Sequence, residues 1–139
     1  MEAQRPSPEQ EAGDEDPHRT EQIELTIPGR PEYVAVVRLA AAGIAARMLF
    51  SYDDIEDLKI AVSEACAAAV QAGGEHVAVQ FGVAPDRLEI RVAHRPGRAR
   101  RRTQQSELGT LLVRCLMDEV RTERAGAEHI TWMTKRLRR

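Results

Sequence analysis

The chain has 139 residues, 42% of them hydrophobic and only 4% aromatic, enough for one domain with an aliphatic, alanine-rich core. No run approaches the roughly 18 apolar residues that span a bilayer, and the polar start has no signal-peptide core, so a cytoplasmic protein is expected. The net charge of −2 conceals segregation: Glu2, Glu9, Glu11, Asp14, Glu15 and Asp16 make the start acidic, whereas Arg95, Arg98, Arg100, Arg101 and Arg102 cluster late and Lys135, Arg136, Arg138 and Arg139 close the chain.

Residues 1–20 offer almost nothing to bury and read as a disordered acidic tail, leaving residues 21–139 as a single domain. Ile23, Leu25 and Ile27 alternate with polar neighbours, a half-buried strand ended by Pro28-Gly29. Pro31 suits the first position of a helix whose stripe is Tyr33, Val36 or Val37, Ala40, Ile44 and Met48, with Arg38 pointing away from it.

Ser51 to Val70 reads as the central helix. Ser51 is a good N-cap, Asp54 can answer it as a capping-box acid, and Asp53, Glu56 and Asp57 add negative charge where the helix dipole favours it. Ile55, Leu58, Val62, Ala65 and Ala69 form its apolar stripe, and Gly73-Gly74 ends it. At about 100° per residue, Ile60, Glu64, Ala67 and Ala68 lie opposite that stripe. Three of these four are apolar, so the face is expected either to be covered or to line a pocket in which Glu64 is the only ionisable group.

Val77, Val79, Phe81 and Val83, the turn Ala84-Pro85-Asp86, and Leu88, Ile90 and Val92 spell a hairpin. Residues 94–105 lack periodicity and read as a basic loop that includes His94. Leu108, Leu111, Leu112, Cys115 and Leu116 restore helical spacing up to Asp118, followed by a strand at Val120–Arg124, a turn at Ala125-Gly126-Ala127 and a last strand through Ile130, Trp132 and Thr134. Cys66 and Cys115 fall inside predicted helices in no metal or redox spacing and read as small buried hydrophobes. The order β-α-α-β-β-α-β-β predicts an α+β two-layer sandwich, a mainly antiparallel sheet with helices on one face.

The segments PEYVAVVRLAAAGIAARM, SYDDIEDLKIAVSEACAAAV, FGVAPDRLEIRVA and CLMDEVRTE, in that order across residues 23–137, closely resemble the RsbW-type anti-sigma factors. The resemblance implies the Bergerat, or histidine-kinase-like, ATPase fold. It also implies a family that sequesters a stress or sporulation sigma factor, acts as a homodimer, and phosphorylates a serine of a STAS anti-anti-sigma protein using ATP and magnesium.

Carried over residue by residue, the resemblance puts the family's general base at Glu64 and a partner-contacting arginine at Arg38. The asparagine that holds magnesium one turn after the base falls on Ala68, and an alanine methyl cannot ligate a hard cation. The adenine-binding aspartate falls on His94, which lacks a carboxylate. Of the glycine-rich phosphate loop only Gly109 remains, while Glu107 brings a negative side chain where phosphates should meet helix N–H groups. The family's long ATP lid shrinks to about a dozen mostly basic residues. The resemblance is therefore to a degenerate member, with no cofactor expected and Glu64 vestigial as a base.

The leading expectation is a binding protein, with a sigma factor and a STAS anti-anti-sigma protein as partners and assembly as a homodimer or with a paralogue. The alternative is an active serine-protein kinase in which Arg98 to Arg102 replace the charge of magnesium. A nucleic-acid surface on the basic loop is the weakest reading, because no aromatic platform interleaves the arginines.

Overall fold

The computed structural model describes residues 20–97 and 104–138, with side-chain surroundings from residue 107 in the second stretch. The acidic tail, apart from Thr20, and Arg98 to Arg102 lie outside the described residues. Strand β1 (Glu21–Pro28) is followed by a short 3-10 turn at Pro31–Tyr33, helices α1 (Val34–Arg47) and α2 (Tyr52–Gln71), and the hairpin β2 (His76–Val83) and β3 (Arg87–His94). Helix α3 (Gln104–Leu116) and the hairpin β4 (Glu119–Ala125) and β5 (Glu128–Arg136) complete the order expected.

The five strands form one antiparallel sheet in the order β1-β2-β3-β5-β4. Ile27, Val77, Val79, Phe81, Leu88, Ile90, Val92 and Met133 turn their side chains to the helices and are buried. Each such side chain taken fully out of water contributes about 1.5–3 kcal/mol, which makes this face the main source of stability. On the open face Trp132 lies between the guanidinium groups of Arg91 and Arg121, 5.6 and 4.9 Å from its ring centre, and its Nε1 donates to Glu123 at 2.9 Å.

Helix α2 is the keystone of the helical layer, packed on α1 at one side, on α3 at the other and on β2 and β3 beneath. Ser51 caps it as expected, its Oγ accepting from the Asp54 N–H at 3.2 Å. The Asp54 carboxylate, assigned to a reciprocal cap, instead faces Lys135 Nζ at 3.7 Å. Gly73, at φ +84°, makes the left-handed exit that an L side chain resists.

Two helices are rotated from the stripes read in the sequence. In α1 the buried residues are Val34, Val37, Ala41 and Ala45, while Tyr33 and Val36 are exposed and Ala40, Ile44 and Met48 skirt the contact. Small residues allow the closest helix approach, so α1 meets α2 through alanines and its larger side chains flank the seam. Among the described side chains of α3 the buried residues are Gly109 and Val113, joined by Met117 just beyond its end, whereas Leu108, Leu111, Leu112 and Cys115 are exposed. Cys115 is thus not the buried hydrophobe expected, although Cys66 is, and burial pushes the Cys66 thiol up to about 12.

Candidate functional site

Helices α1 and α2 diverge at the start of α1 to leave a cleft of about 430 Å³. Pro31, Glu32, Val34, Ala35 and Arg38 line one wall; Ser63, Glu64, Ala67, Val70 and Gln71 line the other. Position 64 reaches the cleft because it lies opposite the α2 residues that meet the sheet, and position 38 because it lies one turn after Val34. Of the face opposite the stripe, Glu64 and Ala67 line this pocket, whereas Ile60 and Ala68 are exposed outside it. Glu64 is not its only ionisable group, however, since Glu32 and Arg38 share it. The expectation of a lone carboxylate assumed that only α2 would supply the lining.

The structure also brings Gly109 to Glu64. A methyl group built on Gly109 would stand 2.7 Å from Glu64 Oε2, so α3 closes over the carboxylate at the one residue that has no side chain. Ala68, one turn further along α2, is exposed. Glu107 is also exposed, in the first turn of α3.

His94 is the last residue of β3 rather than a loop residue, and it is half-buried. It pairs across the sheet with His129 of β5, the rings edge to face with centres 5.4 Å apart. Its Nε2 is buried with no hydrogen-bond partner among the described residues. Burial, and secondarily the proximity of His129, hold the His94 imidazole below the usual histidine range, which keeps it neutral at neutral pH. Immediately after it, the Gly97 N–H donates to the Ala72 carbonyl at 2.9 Å, and Gly97 approaches the Gly73 backbone so closely that a methyl there would stand 2.7 Å from the Gly73 oxygen. The chain's own backbone thus caps the end of α2.

The sequence pattern of the histidine kinase-like ATPase domain matches residues 27–135. The serine-protein kinase RsbW of Bacillus velezensis is 44% identical over 124 residues, covering 73% of this chain and 77% of that protein. RsbW of Bacillus subtilis is 41% identical over 138 residues, covering 83% and 85%. The chain belongs to the RsbW-type histidine kinase-like ATPase family. Its fold is also that of the crystal structure of the RsbU and RsbW domains of Rv1364c from Mycobacterium tuberculosis, with TM-score 0.69 at 21% identity, covering 86% of this chain and 33% of that longer one.

The positions to which the resemblance assigns the family's magnesium and ATP contacts carry other chemistry in this chain. The side chain at position 68 has no ligand atom, position 94 offers an imidazole in place of a carboxylate, and Glu107 adds negative charge to the first turn of α3. An alignment of 140 positions with RsbW of Bacillus licheniformis spans only 84% of this 139-residue chain, so that relative has internal positions with no counterpart here. The cleft carries the Glu64 carboxylate on one wall and the Arg38 guanidinium with the Glu32 carboxylate on the other. Glu32 and Ser63 were not singled out in the sequence because their role depends on how far α1 and α2 diverge. His129 was missed because strand register, not spacing, brings it to His94.

Proposed function

We propose that this RsbW-type protein is a cytoplasmic anti-sigma regulator that works by binding alone. In this reading the α1–α2 cleft, with Arg38 at its rim, is the surface that engages a sigma factor or a STAS anti-anti-sigma protein, and Glu64 contributes recognition rather than base catalysis. The observation that carries it is Ala68: one turn beyond the glutamate, where an oxygen ligand is required, an exposed methyl stands. Losing several polar partners of a phosphate site costs affinity in steps of about 1–3 kcal/mol, which together take micromolar ATP binding beyond millimolar.

Calorimetric and thermal-shift titrations with magnesium-ATP test the site. No heat and no shift at millimolar nucleotide are expected. A ligand present at 100 times its dissociation constant would stabilise by about 2.7 kcal/mol, so a saturable shift would overturn the reading and direct attention to serine phosphorylation of an anti-anti-sigma protein. The partner surface is tested separately, by whether Arg38→Glu abolishes co-purification with sigma factor while leaving the fold intact.

A further inference from the structure

Strand β4 pairs with β5 on one side and with no described strand on the other, and six of its seven residues are exposed. An open edge offers unpaired backbone N–H and C=O groups to another chain, and proteins commonly blunt it with lysine, proline or a bulge. Residues 119–125 contain neither lysine nor proline, and their register with β5 runs without a bulge. What the edge carries instead is charge of both signs, Glu119, Arg121, Glu123 and Arg124.

The spacing of those charges selects an occupant. Two copies of one strand pair antiparallel about a two-fold axis that passes through a residue, because opposed residues must share a face of the sheet. The register that pairs all seven residues of β4 is therefore centred on Thr122. It sets Thr122 opposite Thr122 and, twice by symmetry, Arg121 opposite Glu123, and both are favourable cross-strand pairs. An axis through Arg121 would oppose Arg121 to itself and Glu119 to Glu123, and an axis through Glu123 would oppose Glu123 to itself. The register of greatest overlap is thus also the one in which opposite charges meet. We propose that a second copy of this chain docks on the β4 edge in the Thr122-centred register, continuing the five-stranded sheet across the two-fold axis.

Both members of the charge pair are already held in place. Trp132 carries the Arg121 guanidinium 4.9 Å from its ring centre and donates from Nε1 to Glu123 Oε1 at 2.9 Å. Neither Arg121 nor Glu123 makes an ion pair among the described residues, so the guanidinium N–H groups and Glu123 Oε2 remain for the second copy. Side chains fixed beforehand lose little freedom on binding, which lowers the cost of forming the contact. The inference does not depend on the partner reading above, which uses the α1–α2 cleft.

The test is sedimentation of the full chain from micromolar to millimolar concentration. An association step is expected, weakened at least about tenfold by Arg121→Glu, which opposes two carboxylates at both ends of the contact. Adding Glu123→Arg to that variant exchanges the two charges without moving the register and should restore the step. Since both changes also remove a contact of Trp132, a milder substitution gives a second reading. In a Cys115→Ser background, Thr122→Cys should form an intermolecular disulfide with oxidised glutathione, because opposed Cα atoms about 4.5–5.5 Å apart lie within disulfide range. Ala125→Cys in the same background should not, its two copies lying about 20 Å apart in this register. A monomer at every concentration, association that Arg121→Glu leaves unchanged, or cross-linking at position 125 as ready as at position 122 would overturn the proposal.

Discussion

At the scale of single residues, the closest approach in the site sets two effects of opposite sign against each other. Replacing a helical glycine by alanine ordinarily stabilises by about 0.5–1 kcal/mol, yet at Gly109 the new methyl would meet Glu64 Oε2 at 2.7 Å. Glu64 must then swing away or α3 must shift. Gly109→Ala should therefore be neutral or destabilising in the natural chain and stabilising by about 0.5–1 kcal/mol when Glu64→Ala is also present, a difference that a double-mutant cycle in urea measures directly. The cysteines make a second residue-scale case. With Cys66 buried and its thiol pushed up to about 12, and Cys115 exposed, iodoacetamide at neutral pH should label Cys115 alone in the folded protein and both in denaturant. Nothing in the spacing of the two cysteines distinguished them. Only the rotation of α3 on α2 did.

At the scale of elements, the type and order of every helix and strand were legible because the periodicities of 3.6 and 2 are strong and the breakers Pro28-Gly29, Gly73-Gly74, Ala84-Pro85-Asp86 and Gly126 sit between them. What periodicity did not reveal is which apolar stripe wins when a helix carries two. In α3 the leucines at 108, 111 and 112 spell a stripe, but Gly109 and Val113 are buried, with Met117 just past the helix end, because the close contact with α2 requires a residue without a side chain at Gly109. Val113→Ala should accordingly cost about 2 kcal/mol, whereas Leu111→Gln, at 58% exposure, should change stability by less than about 0.5 kcal/mol; the opposite ranking in thermal unfolding would restore the leucine stripe as core. The helix stripe ends near Met48 as expected, but the left-handed residue that follows it carried no signal. Leu49 leaves the helix at φ +68° with an exposed side chain, so Leu49→Gly should stabilise the protein by relieving about 1 kcal/mol of strain.

At the scale of the whole molecule, the sheet order could not be read from the sequence, since a hairpin of β4 and β5 joins the sheet equally well by either strand. The structure places β5 next to β3, and one side chain shows what that placement gains. Lys135, the buried charged residue among those described, passes from β5 into the helical layer, where Nζ donates to the Leu116 carbonyl at the end of α3 at 2.7 Å and lies 3.7 and 3.8 Å from Asp54 and Asp57 at the start of α2. It thereby satisfies a terminal helix carbonyl and answers the acids that favour the α2 dipole, joining three elements that only this strand order brings together. Had β4 been the inner strand, that charge would have no such partners. Lys135→Met, which keeps the apolar stem and removes the ammonium, leaves the carbonyl and both carboxylates without their cation and should cost about 2 kcal/mol. Arg136→Ala removes an ion pair to Glu119 of even better geometry, 2.7 Å, but both partners are more than half exposed, so it should cost less than about 1 kcal/mol. Chemical denaturation of the two variants decides the point: equal losses would mean that Lys135 is an ordinary surface charge and that the position of β5 is held by backbone pairing alone.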